Sequence, residues 1–337
     1  MQERAGVARP WLGWLTNNGF ILGMVAMVLL ASLWPELGKT GGLLHSELLC
    51  DLGIALIFFL HGLSLSTEKL KAGFGNWRLH LLIQGSTFVL FPLLWVLAAP
   101  LLQSHLPIGL VQGFIYLCVL PSTISSSVAM TAAGRGNVAA AIFNATLSSL
   151  LGVFLTPMLV SLLGHGGAGG ADLSETIWKI ARMLLLPMLC GQLLRPLLSR
   201  YLAPFKPWLN RLDRGVILLL VLAAFSDSVA AGLWHQYGLS ILLTTMVGAA
   251  AFLLVILLLT SLLARFCRLN HEDSVALIFC GSKKTLASGV PMAKLLFGTS
   301  PWLGMIVLPI MFYHQLQLFI CALLASRFAR QVSNTRI

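Results

Sequence analysis

Charge is what this sequence has least of. Asp, Glu, Lys and Arg make up 10% of its 337 residues, against about 25% in a soluble domain. Acids are scarcest, 11 against 22 Lys and Arg. With 58% hydrophobic residues and a mean hydropathy of +0.89, the chain lacks the polar surface of a water-soluble fold. It also lacks the apolar/polar alternation of a transmembrane β-barrel. Its six cysteines stand singly in mostly apolar runs, with neither metal-ligand spacing nor a disulfide framework, so they read as small buried hydrophobes. No small-residue cleavage site follows the first apolar run, so that run is expected to be a retained span and not a cleaved signal peptide.

What is present is apolar sequence in runs of bilayer length, about 20 residues each. Ten spans are expected near 17–35, 46–66, 77–102, 109–133, 137–163, 173–197, 211–232, 240–266, 272–297 and 304–326. With both termini in the cytoplasm, the loops there hold Arg4, Arg9, Lys69, Lys71, Arg78, Arg135, Arg265, Arg268 and most other cations. The opposite side holds Lys39, with Lys179 and Arg182 near its edge. This positive-inside bias accounts for most of the net charge of +11, so nucleic acid has no place as a partner. A bacterial inner membrane is the expected location.

The glycine-rich stretch GHGGAGG lies almost at mid-chain, with five spans on either side. An odd number per half inverts the second half relative to the first. The expected organisation is a first repeat over 1–163, a linker over 164–172, a second repeat over 173–330 and a cytoplasmic tail over 331–337. The fourth span of each half is interrupted. One reads LPSTISSSVAMT, where Pro121 removes a backbone donor and Ser122, Thr123, Ser125, Ser126 and Ser127 supply hydroxyls. The other reads FCGSKKTLASG, placing Gly281, Ser282, Lys283, Lys284 and Thr285 at membrane depth.

Matched interruptions point to a transport site at the midplane. Kinking and close packing by small hydroxyl residues is the plainer reading of either one alone. Asn144, Ser148 and Gly152 share one face of span five, and His314 and Gln317 one face of span ten. His61 and Asp227, late in spans two and seven, either pair structurally or act as gates or proton relays.

FCGSKKTLASGVPMAKLLF, with LPSTISSSVAMTAAGRGNVAAA, FFLHGLSLS, NWRLHLL and FYHQLQL, resembles the bile acid:sodium symporter family. The similarity is strongest to its sodium/bile acid cotransporter 7-like subgroup. The resemblance implies an all-α fold of ten helices in two inverted repeats. A panel of spans 1, 2, 6 and 7 moves against a core in which spans four and nine break and cross. It implies secondary transport of a small organic anion at that crossover.

The sodium-coupled motif is altered. Its Ser-Asn pair falls on Ser126 and Ser127, its span-five hydroxyls on Ala141 and Ala145, and its span-nine glutamate and glutamine on Phe279 and Lys283. Hard cations need oxygen ligands, so two-sodium symport is not expected, and no resident metal or cofactor is. An ammonium, that of Lys283, is expected in the ion's place. Because burial favours the neutral amine, it would exchange a proton and couple transport to protons. Lys284 is expected to face a cavity and attract the substrate's anionic group.

Enzyme chemistry is not expected. Ser282 and Lys283 diverge on a helix, and neither a G-x-S-x-G elbow nor P-loop spacing is present. A non-transporting regulator or channel-like protein of the same fold is the alternative. Substrate identity, symport against exchange, and monomer against homodimer stay open.

Overall fold

The computed structural model describes residues 10–64, 75–164, 173–298 and 300–334. The linker beyond Gly164, together with Arg4, Arg9, Lys69, Lys71 and Arg336, lies outside the described residues. Among the described residues no strand occurs. The main helices are α1 (Pro10–Leu33), α2 (Ser46–Ser64), α3 (Trp77–Leu102), α4 (Ile108–Val119), α5 (Ser125–Ala133) and α6 (Val138–Leu163). They continue with α7 (Leu173–Leu202), α8 (Lys206–Ala230), α9 (Leu233–Phe266), α10 (His271–Ser282), α11 (Gly289–Phe297) and α12 (Leu303–Asn334). Among the described residues, five helical stretches are long and apolar enough to cross a bilayer: Ser46–Leu63, Trp77–Leu102, Val138–Leu163, Gly238–Phe266 and Leu303–Gln331.

Span four is two helices, α4 and α5, and span nine is two helices, α10 and α11. Span three is continuous but irregular. Residues Ser86–Leu90 form a π-turn, in which the Phe91 N–H reaches back five residues to the Ser86 carbonyl. Span eight begins earlier than expected, at Leu233. Gly238 kinks it with φ 54° and ψ −148°, a conformation open essentially to glycine.

Three helix starts are fixed together. Asn76, Asn137 and Asn270 cap α3, α6 and α10, accepting the N–H groups of Leu79, Ala140 and Asp273. The Nδ2 groups of Asn76 and Asn137 also donate to the Asp273 carboxylate, at 3.0 and 2.8 Å. One buried carboxylate thus gathers three helix N-termini, whose dipoles favour its negative charge. In packing, α1 lies on α8, α2 on α7, and α4 on α12, while α6 touches α4, α5 and α10.

The α2–α7 contact depends on two glycines. A Cβ on Gly62 would collide with the Met188 carbonyl, and one on Gly191 with the Phe59 carbonyl. Small residues let helix backbones approach closely in membranes. Gly191→Ala is therefore expected to destabilise the protein by about 1–3 kcal/mol through overpacking, seen as a lower Tm in detergent. Gly215→Ala, with nothing within 4 Å of the added carbon, should keep or slightly raise Tm, since alanine favours a helix interior.

Candidate functional site

The break between α4 and α5 begins with proline. Pro121 offers no N–H, and the residue before it is steered to extended backbone; Leu120 has φ −65° and ψ 149°. The carbonyls at the end of α4 therefore lack helical donors and are served from elsewhere. Val119 O accepts from Thr156 Oγ1 at 2.9 Å, and Pro121 O accepts from the Thr285 N–H at 3.0 Å. Ser122 donates its N–H to Ser148 Oγ at 2.9 Å and its hydroxyl to Cys280 O at 2.7 Å. Gly152 leaves room for the Pro121 ring, which a Cβ there would strike. The face Asn144–Ser148–Gly152 thus lines up with the break. Asn144 receives Gln84 Nε2 on its own carbonyl and on Oδ1, and donates to His80 Nδ1 at 2.8 Å.

The second break is held from α12 and α4. Tyr313 donates to Ser282 O at 2.6 Å, and Tyr116 to Gly289 O at 2.6 Å. Gln317 grips the Lys284 peptide from both sides: its Oε1 accepts the N–H and its Nε2 donates to the carbonyl, each at 2.9 Å. The same Nε2 lies 2.9 Å from His314 Nδ1 and donates to it in the tautomer that carries its proton on Nε2. Ser288 Oγ meets Thr285 Oγ1 at 3.3 Å. The Pro121–Thr285 hydrogen bond joins the two breaks directly.

Both lysines are fully buried, at 0% exposure. Lys284 Nζ donates to three carbonyls: Thr87 at 2.9 Å, Cys118 at 2.9 Å and Leu120 at 2.6 Å. The Phe91 ring lies 4.0 Å from the ammonium. Thr87 is available because of the π-turn. In that five-residue register its carbonyl would be met by the nitrogen of Pro92, which carries no hydrogen. Lys283 Nζ donates to Ser126 O at 2.8 Å, its one protein acceptor among the described residues, and lies 5.8 Å from the Phe279 ring. An ammonium has three donors, so two remain on Lys283. Among the described residues no carboxylate lies within 4.0 Å of either ammonium.

Lys284 therefore does not face a cavity. It is enclosed by backbone, and the spare donors belong to Lys283. The cause is conformational. Lys283 is extended, with φ −95° and ψ 147°, so the neighbouring side chains leave opposite faces rather than diverging as on a helix.

A cavity of about 30 Å³ adjoins the breaks, lined by Phe58, His61, Ile124, Thr146, Ser149, Met188, Ser288 and Met292. His61 is thereby brought to the site. Asp227 is not: its carboxylate accepts from the Thr40 N–H at 2.7 Å and the Thr40 hydroxyl at 3.0 Å, tying down the loop after α1. Asp51 is exposed. Thr123 is buried and Ser125 exposed. Ser127 lies 3.4 Å from the Ser122 hydroxyl. Gly281 packs against Ser86. The participants that sequence reasoning did not single out are Tyr116, Tyr313, Thr156 and the freed Thr87 carbonyl. Pro92, five residues beyond Thr87, was the available signal for the last.

Residues 18–330 match the model of the SBF-like CPA transporter family. The chain belongs to that family. Relatives include an uncharacterized protein of Pseudomonas aeruginosa, 47% identical over 315 residues and 93% of each chain. The putative symporter YfeH of Escherichia coli is 45% identical over 316 residues, 94% of each chain. Sodium/bile acid cotransporter 7 of Danio rerio is 31% identical over 310 residues, covering 90% of this chain and 91% of that one. As a member of the SBF-like family, the protein is a multi-pass membrane protein of a transporter family and not an enzyme.

The Gln317 grip carries its own test. Gln317→Leu leaves both backbone polar groups of the buried residue Lys284 unpaired, at about 1–3 kcal/mol for each. Thr156→Val strips one partner, from Val119 O. Gln317→Leu also removes the partner of His314 Nδ1, so its drop in Tm should be about two to three times that of Thr156→Val.

Proposed function

We propose that the protein is a secondary active transporter of a small organic anion, working by alternating access across a bacterial inner membrane with both termini in the cytoplasm. Its ten spans form two inverted repeats, 1–163 and 173–330, joined by the linker 164–172 and followed by a cytoplasmic tail, 331–337. Spans four and nine cross at their breaks. The bilayer is its surroundings, the anion its partner, and nucleic acid has no role. Monomer and homodimer both suit this reading.

The observation that carries the proposal is the pair of interrupted helices whose freed backbone meets at Pro121 and Thr285, with an incompletely partnered ammonium, Lys283, beside it. The helix pairing supports the inverted repeat. If spans 6 and 7 repeat 1 and 2, the packing of α1 on α8 maps onto that of α7 on α2, and both are present. The cavity supports alternating access. Ligand sites are about 300–1,000 Å³, and one of about 30 Å³ admits an organic anion only after α2 and α7 part from α5, α6 and α11.

Within this reading Lys283 receives the anionic group on its two open donors, near the N-terminal turn of α5, where helix N–H groups favour anions. It is also the group that exchanges a proton. Lys284 is the ammonium standing where an ion would otherwise bind. Sodium coupling has no part, because oxygen ligands here already serve ammonium groups and a carboxylate is missing. His61 and the hydroxyls of Ser288, Thr146 and Ser149 flank the path. The locked state of Lys284 is also what favours the alternative, a non-transporting regulator or channel-like member of the fold.

Uptake into proteoliposomes separates the two readings. Labelled taurocholate and short carboxylates serve as probes, driven in turn by a pH gradient and a sodium gradient. The expected outcome is saturable uptake driven by the pH gradient. Lys283→Met should lower it by about 30-fold or more while still inserting in the membrane. Full uptake in both Lys283→Met and Lys284→Met would sink the role given to the lysines. Absence of saturable uptake for every probe would favour the regulator.

A further inference from the structure

The surroundings of Lys284 have the composition of a cation site. Three carbonyl oxygens, from Thr87, Cys118 and Leu120, converge on one point at 2.6–2.9 Å, within the range of charge-assisted hydrogen bonds. Two of them end α4, where the helix dipole is negative, and the face of Phe91 closes the shell at 4.0 Å. None of these oxygens is a side-chain carboxylate, so the charge they favour is a single positive one. The shell is also prepared without the lysine. Pro121 frees the end of α4, and the π-turn with Pro92 frees Thr87.

We propose that this shell is a monovalent-cation site filled permanently by a tethered ammonium, and that shortening the tether opens it to a free monovalent cation. The proposal rests on the transporter reading for its meaning in transport: a cation that cannot leave removes the need for one from solution. Binding itself is independent of that reading. Lys284 is in this sense a built-in ion, distinct from Lys283, whose donors stay open.

The experiment titrates purified protein with ammonium, potassium or sodium chloride against N-methyl-D-glucamine chloride at constant ionic strength, reading Tm. Wild type should show no cation-specific shift. Lys284→Ala should melt lower and regain about 3 °C or more in ammonium at saturating concentration, with potassium or sodium doing the same if the shell accepts bare ions. Lys284→Met fills the space without charge, and should melt lower with no cation response. Lys283→Ala should give no ammonium-specific shift.

An unresponsive Lys284→Ala overturns the proposal, and so does a Lys284→Met variant as stable as wild type. If Lys284→Ala is not recovered in ordinary buffer, extraction in ammonium chloride is the second measurement. A restored monodisperse peak supports the proposal, and continued loss overturns it. None of these outcomes bears on organic-anion uptake, so failure here and failure of the transporter reading are separately visible.

Discussion

Inside a bilayer there is no water to satisfy a backbone N–H or C=O, and the rest of this structure follows from that constraint. A continuous helix meets it internally, but α4 stops at Val119 and α10 at Ser282. The carbonyls of Cys118, Val119, Leu120 and Pro121 then need donors, and each has one: Lys284, Thr156, Lys284 again and the Thr285 N–H. Two of those donors come from the other break. The interruptions are therefore complementary, and neither segment could be unwound alone without leaving orphaned groups. Proline on one side and lysines on the other form a single solution to one accounting problem.

The same constraint explains how so few acids suffice. Burying a charge is costly unless something pairs with it, yet neither lysine has a carboxylate within 4.0 Å among the described residues. Helix ends take the place of counter-ions. Lys284 sits on the carbonyl end of α4, and Asp273 sits among the starts of α3, α6 and α10. Both use fixed backbone dipoles, which need no second charged side chain to be held in place. A 10% charged chain can in this way hold lysine and aspartate side chains within its helix packing.

The fold's interruptions were legible because their chemistry is local. Proline at 121 and the Gly-Ser-Lys-Lys-Thr run announce a break wherever they fall in an apolar run, and the i, i+4, i+8 spacing of Asn144, Ser148 and Gly152 announces a face. The π-turn was not legible, since a one-residue shift of helix register is settled by neighbours as much as by Pro92. The roles of the lysines were not legible either. Assigning them by helical geometry placed Lys284 toward a cavity, whereas the extended backbone at Lys283 turns successive side chains to opposite sides. Asp227 has the composition of a relay residue, but its partner is Thr40, 187 positions away, and no sequence spacing encodes that contact.

The alternating access proposed above requires some interface to part, and the two interfaces at the site differ in what parting would cost. Within the cluster of breaks, separation would strip hydrogen bonds from buried carbonyls at Cys118, Leu120 and Pro121 and from the peptide of Lys284, about 1–3 kcal/mol for each group left unpaired. The cavity is lined by Phe58 and Met188 from α2 and α7 and by Ile124 and Met292 from the broken spans, apolar surfaces that lose little when an amphipathic ligand covers them. The surface of least resistance therefore runs between the α2–α7 pair and the broken helices. It passes His61 on one side and Ser288 on the other. The glycine contacts at Gly62 and Gly191 keep α2 and α7 together as one body on their side of it. In the mechanism proposed above, the breaks are then the rigid part, and the motion belongs to the apolar seam beside them.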